Sequence, residues 1–294
     1  MAAGVYRRLG RADGYDLYDM RCLEDHAGWL GPKPEAGYRM VLARSGAYLR
    51  RVNGRESFVD ATSVLLIRPG DDLSVAHPLG CGDVFTGLDV SAELLAARAD
   101  CRQWLERRGW EGTVDDRTDL RHRALLAACR RGIDGFETAE RVHDLMSELL
   151  TAIGEPGGDV ERAVRRRPST LVAHRRLADQ TRAALAAGLF HAGLSDLAGM
   201  VSSSPHHLSR VFRAVVGESL TAYRNRMRVR AVLHDLERGA PSLRALAHRY
   251  GFADQAHLTR VVRQHVGESP GACARLLGSG GTLTAGESRK SPGR

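Results

Sequence analysis

The chain has 294 residues, enough for two domains of ordinary size, and its 43 Lys+Arg exceed its 35 Asp+Glu by a formal +8. Its five cysteines are widely spaced with no Cys-x-x-Cys, which argues against a disulfide framework and for a reducing, cytoplasmic setting. The segment MAAGVYRRLG has no apolar run after its charges, and no stretch is long and apolar enough to span a bilayer, so neither a secretory leader nor a membrane partner is expected.

The charge is unevenly placed. Residues 1–168 hold 25 basic and 27 acidic side chains, whereas residues 169–277 hold 15 basic and 7 acidic. A near-neutral part joined to a basic one points to a polyanion-binding module carried beside something else.

In chain order, residues 38–89 predict strands. Tyr38–Ala43 and Ala47–Val52 flank a Ser45-Gly46 turn. Asn53-Gly54 is a strong hairpin signal because both central positions of such a turn need positive φ. Arg55–Val59, Val64–Ile67, Val75–His77 and Val84–Asp89 complete a set of short strands with regular turns, the pattern of a small barrel or jelly roll. Helical spacing begins after Ser91, in Ala92–Arg98, Arg102–Arg108, Leu120–Arg131 and Thr138–Ile153. The last carries an apolar stripe of Val142, Leu145, Met146 and Leu149, which must be buried on the barrel or on another chain. We expect the second, a homodimer through this helix.

A break at Glu155–Asp159 and the basic run Arg165-Arg166-Arg167-Pro168 mark a boundary. The expected units are a barrel at 1–90, a helical linker and dimerisation segment at 91–160, an all-helical domain at 169–277 and a disordered tail at 278–294 rich in Gly, Ser and Thr.

The helical domain repeats itself. HLSRVFRAVVGES at 207–219 is answered by HLTRVVRQHVGES at 257–269, and Leu197-Ala198 upstream is answered by Leu246-Ala247. Each copy reads as helix, turn, helix. Ser204 before Pro205 caps one second helix and Asp254 the other. With Leu208, Val211, Phe212 and Leu258, Val261, Val262 turned inward, the outward stripes are His206, Ser209, Arg210 and Arg213, and Gln255, Ala256, Thr259, Arg260 and Arg263. Arg can bond guanine with two donors, Gln can bond adenine, and Ala or Thr can touch a thymine methyl, so paired stripes of this kind fit the major groove of double-stranded DNA. Gly217-Glu218-Ser219 and Gly267-Glu268-Ser269-Pro270 each precede a helix, where free N–H groups can either be capped or hold a phosphate.

Residues 171–277 resemble the tandem helix-turn-helix domain of the AraC/XylS family of bacterial transcription regulators. The match rests on Leu197-Ala198, Ser204–Phe212, Gly217, Ala245-Leu246-Ala247, Tyr250-Gly251-Phe252 and Gln255–Arg260. Val262 stands where that family usually has Phe. The resemblance implies base contacts from His206, Ser209 and Arg210 and from Gln255, Ala256, Thr259 and Arg260. Residues 38–90 resemble the family's cupin-like sensor barrel more weakly, through Arg44-Ser45-Gly46, Asn53-Gly54-Arg55-Glu56 and Leu66–Asp71. This implies a small-molecule effector pocket with Arg44 first and Tyr38, Tyr48 and His77 behind it, and RNA polymerase as a further partner if the chain activates transcription. The fold class expected is α+β.

An enzyme is the main competing class, since cupin barrels can hold a catalytic metal. That chemistry wants a His-x-His pair and a carboxylate in one cavity, and residues 1–168 contain only His26, His77, His122 and His143, none so spaced. No cofactor and no catalytic metal are therefore expected. Cys22, His26, His77 and Cys81 have ligand-like spacings, with two buried thiols and two unrelated histidines as the plainer reading. A sequence-indifferent DNA-compacting protein would share the charge but would not need two matched helices.

Overall fold

Strands begin earlier in the chain than periodicity predicts. In the computed structural model, which describes residues 4–23, 26–80, 82–101, 104–105, 110–153, 168–240 and 242–278, the chain opens with a hairpin of β1 (Gly4–Ala12) and β2 (Tyr15–Cys22). β1 is an exposed edge strand with no buried face, so it carries no alternating signal to read. There follow β3 (Leu30–Pro34), β4 (Tyr38–Ser45), β5 (Ala47–Val52), β6 (Arg55–Asp60), β7 (Ser63–Ile67), β8 (Asp72–Ala76) and β9 (Asp83–Val90). Asn53 and Gly54 turn between β5 and β6 with φ of 48° and 81°, as the dipeptide predicts. A short β10 (Trp110–Thr113) interrupts the segment expected to be wholly helical and pairs antiparallel with β7.

The strands form two antiparallel sheets, β1-β2-β9-β4-β7-β10 and β3-β8-β5-β6. The large sheet is covered on both faces. Val41, Ala43, Leu65 and Ile67 meet Tyr48 and Val59 of the small sheet. On the other face Met40, Leu42, Val64, Leu66 and Leu88 meet helices. Two-sided burial explains why β4 and β7 read as continuous apolar runs rather than alternating ones. The covering helices are α1 (Ala92–Ala96), α2 (Asp116–Arg131) and α3 (Gly135–Ile153). α2 starts four residues earlier than predicted because the Asp115 side chain accepts from the amides of Arg117 and Thr118.

Val142, Met146 and Leu149 are fully buried and Leu145 is 5% exposed, all inside the core shared with the large sheet. The expectation of a homodimer through this stripe is therefore corrected. The large sheet's outer face is apolar and needs a cover, and α3 supplies it within one chain.

The C-terminal part is all helical: α4 (Pro168–Ala186), α5 (Leu194–Met200), α6 (Pro205–Val216), α7 (Leu220–Glu237), α8 (Leu243–Arg249), α9 (Gln255–Val266) and α10 (Pro270–Leu276). It has two cores. Leu185, Phe190, Leu197, Leu208 and Phe212 gather around Tyr223 and Met227 of α7. Leu246, Phe252, Leu258 and Val262 gather around Val229, Val232, Leu233 and Leu236 of the same helix. The expected tail, apart from Gly278, and the basic run before Pro168 lie outside the described residues, as does most of the helix expected at 102–108.

Met146→Ala should cost roughly 2–5 kcal/mol through the cavity it leaves, measured by denaturant unfolding. Light scattering should give the same mass for variant and parent, since the side chain is buried within one chain.

Candidate nucleic-acid interface

The two helix-turn-helix units are built alike with one difference. α5 and α8 are offset by 49 residues, α6 and α9 by 50, so the second turn is one residue longer. Each turn holds one residue in the left-handed region, Ser202 at φ 51° and Gly251 at φ 68°. A Cβ on Gly251 would meet the Phe190 carbonyl oxygen at 3.0 Å, so the glycine of the Tyr-Gly-Phe motif is required twice over, by φ and by space.

Ser204 accepts from the His207 amide and Asp254 from the His257 amide, and the predicted caps start both second helices. Leu208, Val211 and Phe212 are buried, as are Leu258, Val261 and Val262. Val262 fills its place in the second core without the family's Phe. On the opposite side His206, Ser209, Arg210 and Arg213 are exposed, with Arg210 Nη2 3.3 Å from His207 Nδ1. On α9, Ala256, Arg260 and Arg263 are exposed and Gln255 and Thr259 half-buried. These five line one shallow hollow of about 540 Å³. Ser219 and Ser269 cap α7 and α10 by accepting from the amides of Ala222 and Ala272.

Not all the basic side chains face outward. Arg228 and Arg230 of α7 are 5% and 1% exposed. Arg228 bonds the Phe190 carbonyl and Arg224 the Ala192 carbonyl. Burial and the neighbouring Arg224 lower Arg228 to about 10. The Arg224 and Arg228 guanidiniums thus close turns of the helical domain.

Sequence reasoning missed a second surface. Tyr223, Arg230 and Glu237 recur every seven residues on one face of α7, and each engages the N-terminal part. The Tyr223 hydroxyl donates to Asp60 Oδ2 at 2.5 Å, and Arg182 donates to the same oxygen at 2.7 Å. Burial would raise the Asp60 carboxyl, but Arg182, Thr62 and Tyr223 outweigh it and lower it. Arg230 pairs with Asp119 at 2.6 Å and Asp116 at 2.9 Å on α2. Glu237 takes Arg130 at 2.6 Å, Arg44 at 3.0 Å and Arg123 at 3.1 Å. The signal that could have found this face was the heptad spacing of Tyr, Arg and Glu along one helix.

Arg44 is thus corrected. It is 2% exposed and bound to Asp19 and Glu237, so its guanidinium is engaged within the chain rather than open to an effector. The four residues expected at such a pocket lie in three places. Tyr38 packs edge-on to Trp104 and borders a surface cleft of about 470 Å³ with Arg11, Asp16 and Asp89. Tyr48 and His77 come together, their rings 5.5 Å apart. His77 Nε2 lies 2.9 Å from Asp83 Oδ1 and 3.7 Å from Cys22 Sγ. Burial opposes charge on His77, yet the bonds to Asp83 and Cys22 outweigh it and raise the group to about 10. His26 stands beside His77 with ring centres 5.6 Å apart; Cys81 lies outside the described residues.

The family model for the helix-turn-helix domain matches residues 197–275, which spans α6, α7, α8 and α9 whole. Residues 197–275 are a helix-turn-helix domain. The chain is also similar to the HTH-type transcriptional regulator GlxA of Rhizobium meliloti (strain 1021), 27% identical over 150 residues, which cover 49% of this chain and 44% of the relative. The match therefore spans less than half of that relative's length. Among solved structures, ToxT from Vibrio cholerae O395 is 10% identical and matches over 91% of this chain and 99% of its own, with a TM-score of 0.34. An AraC-type regulator from Chromobacterium violaceum is 18% identical over 37% of this chain and 99% of its own, also with a TM-score of 0.34. Two of these, GlxA and the Chromobacterium violaceum protein, are named as transcriptional regulators. No helix among the described residues is long and apolar enough to cross a membrane.

Glu237→Gln should destabilise the chain by roughly 3 kcal/mol at pH 7, because it leaves buried Arg44 with Asp19 alone and buried Arg123 with Asp119 alone. Burial would raise the Glu237 carboxyl, but Arg123, Arg44 and Arg130 hold it at about 2 against an ordinary 4.5. A depressed carboxyl stabilises above its unfolded value and loses that contribution as pH falls. The gap between parent and variant should therefore close between pH 4.5 and 2, followed by denaturant unfolding across that range.

Proposed function

We propose that the chain is a sequence-specific, DNA-binding transcription regulator that reads two successive major grooves with α6 and α9. One observation carries the reading: two helices in matched positions, each capped at its start and backed by buried residues, turn the same kind of polar and basic stripe outward. Base-reading roles fall to His206, Ser209 and Arg210 on α6 and to Gln255, Ala256, Thr259 and Arg260 on α9. Arg213 and Arg263, one turn further along, take the phosphate backbone in this reading. The docking of α7 on the N-terminal part supports a division of labour in which that part receives a signal and α7 carries it to both units. A second copy, binding a paired site, would meet the first through a surface other than the α3 stripe.

Genomic fragments retained by the protein, once sequenced, supply the operator. On that operator Arg210→Ala and Arg260→Ala should each cost roughly 1–3 kcal/mol and relax sequence preference in different halves of the site. Arg213→Ala should instead weaken operator and random DNA alike and lower the salt dependence of binding. If Arg210→Ala and Arg260→Ala weaken random DNA as much as the operator, base reading by these helices is wrong and the chain binds DNA without regard to sequence.

A further inference from the structure

We propose that Cys22, His77 and Asp83 form a binding site for a thiophilic divalent cation, zinc being the first choice. The three residues come from separate parts of the chain: Cys22 ends β2, His77 follows β8 and Asp83 opens β9. One ligand atom from each, a sulfur, an imidazole nitrogen and a carboxylate oxygen, lies within 4.8 Å of the other two. All three residues are at least nine-tenths buried, so the cluster is not an accident of surface crowding.

The spacing fits a metal. Tetrahedral zinc with bonds of about 2.3 Å to sulfur and about 2.0–2.1 Å to nitrogen or oxygen sets its donors roughly 3.4–3.6 Å apart. The sulfur–nitrogen distance is 3.7 Å and the nitrogen–oxygen distance 2.9 Å. Side-chain rotations of about half an ångström would bring both into that range. The donor chemistry selects the ion as well. A thiolate favours zinc and other soft cations over magnesium or calcium, which take oxygen ligands. Charge balances, since a divalent cation with a thiolate, a carboxylate and a neutral imidazole sums to zero in a buried place. The protons of Cys22 and His77 leave to solvent as the metal enters.

The location gives the site a consequence. Gly46, at φ +79°, is packed so closely on the loop before β9 that a Cβ there would lie 2.8 Å from Asp83 Cα. Arg44, two residues earlier, holds Glu237 of α7. A cation on Asp83 therefore sits against the turn that carries an interdomain ion pair. The site itself does not depend on the DNA-binding reading.

The test uses the full chain, stripped with chelator and titrated with cobalt(II). We expect one equivalent to bind, with a near-ultraviolet thiolate-to-cobalt band that zinc abolishes by displacement. Cys22→Ser should remove that band and Asp83→Asn weaken binding about tenfold or more, while Cys101→Ser and Cys273→Ser leave both unchanged. Circular dichroism checks that each variant is folded. A parallel measurement needs no variant: zinc should slow alkylation of Cys22 in the parent, read by mass spectrometry, and leave Cys101 unaffected. A folded parent that takes up no cobalt, a thiolate band that survives in folded Cys22→Ser, or zinc that leaves Cys22 alkylation unchanged would each overturn the proposal and leave a buried His77–Asp83 pair of structural role.

Discussion

The architecture depends on α7. Its apolar residues are divided between the two helix-turn-helix cores, Tyr223 and Met227 in one and Val229 to Leu236 in the other, so the spacing of α6 and α9 is set by one rigid rod. The same rod uses a third face, Tyr223, Arg230 and Glu237, to bind β6, α2 and β4. A helix packed on three sides cannot rotate to suit one neighbour without disturbing the others. Any rearrangement of the N-terminal part that reaches α7 therefore reaches both units together.

The contacts on that third face are largely ionic, and this has an energetic meaning. Moving Asp60, Asp119, Arg123 and Arg230 out of water costs several kcal/mol per ion before any attraction is counted. Hydrophobic side chains of like volume would hold the two parts together at least as well, but they would tolerate many relative orientations. Asp60 accepts from Arg182, Tyr223 and Thr62 and can be satisfied in few arrangements. Apolar continuity adds to it, because Leu120 of α2 enters the second helical core and Ala61 the first. Burial supplies adhesion, and the ion pairs select one geometry.

Much of the DNA-facing side was legible from the residues, because it depends on local rules. Caps, inward stripes and glycine turns follow from spacing within one helix, and α6, α7 and α9 end where their glycines, caps and prolines predict. The interdomain face was not legible, because it joins residues more than a hundred positions apart and its members look like ordinary surface charge on a basic helix. Arg44 shows the difference. Its place before a Ser-Gly turn was read correctly, but which way a strand residue faces at a sheet end depends on what covers the sheet, and here α2 and Glu237 cover it. β1 and β10 escaped for a related reason: an exposed edge and a four-residue strand carry too little pattern to separate from loop or helix.

The space between the two sheets is filled. Val41, Ala43, Leu65 and Ile67 interlock with Tyr48 and Val59 between the sheets, so the centre is occupied by the protein's own side chains. The polar groups that could answer a ligand are displaced to the rim, at the ends of β2 and β9 and in the loop after β8, where Cys22, His77 and Asp83 gather below Tyr48. That rim lies next to the β4–β5 turn, and β4 carries Arg44 to α7. A ligand at the centre of a barrel must expand or tighten whole sheets to be felt outside. A ligand at this rim needs only to shift one turn, and β4 beyond that turn holds, through Arg44, the Glu237 end of the helix shared by both helix-turn-helix units.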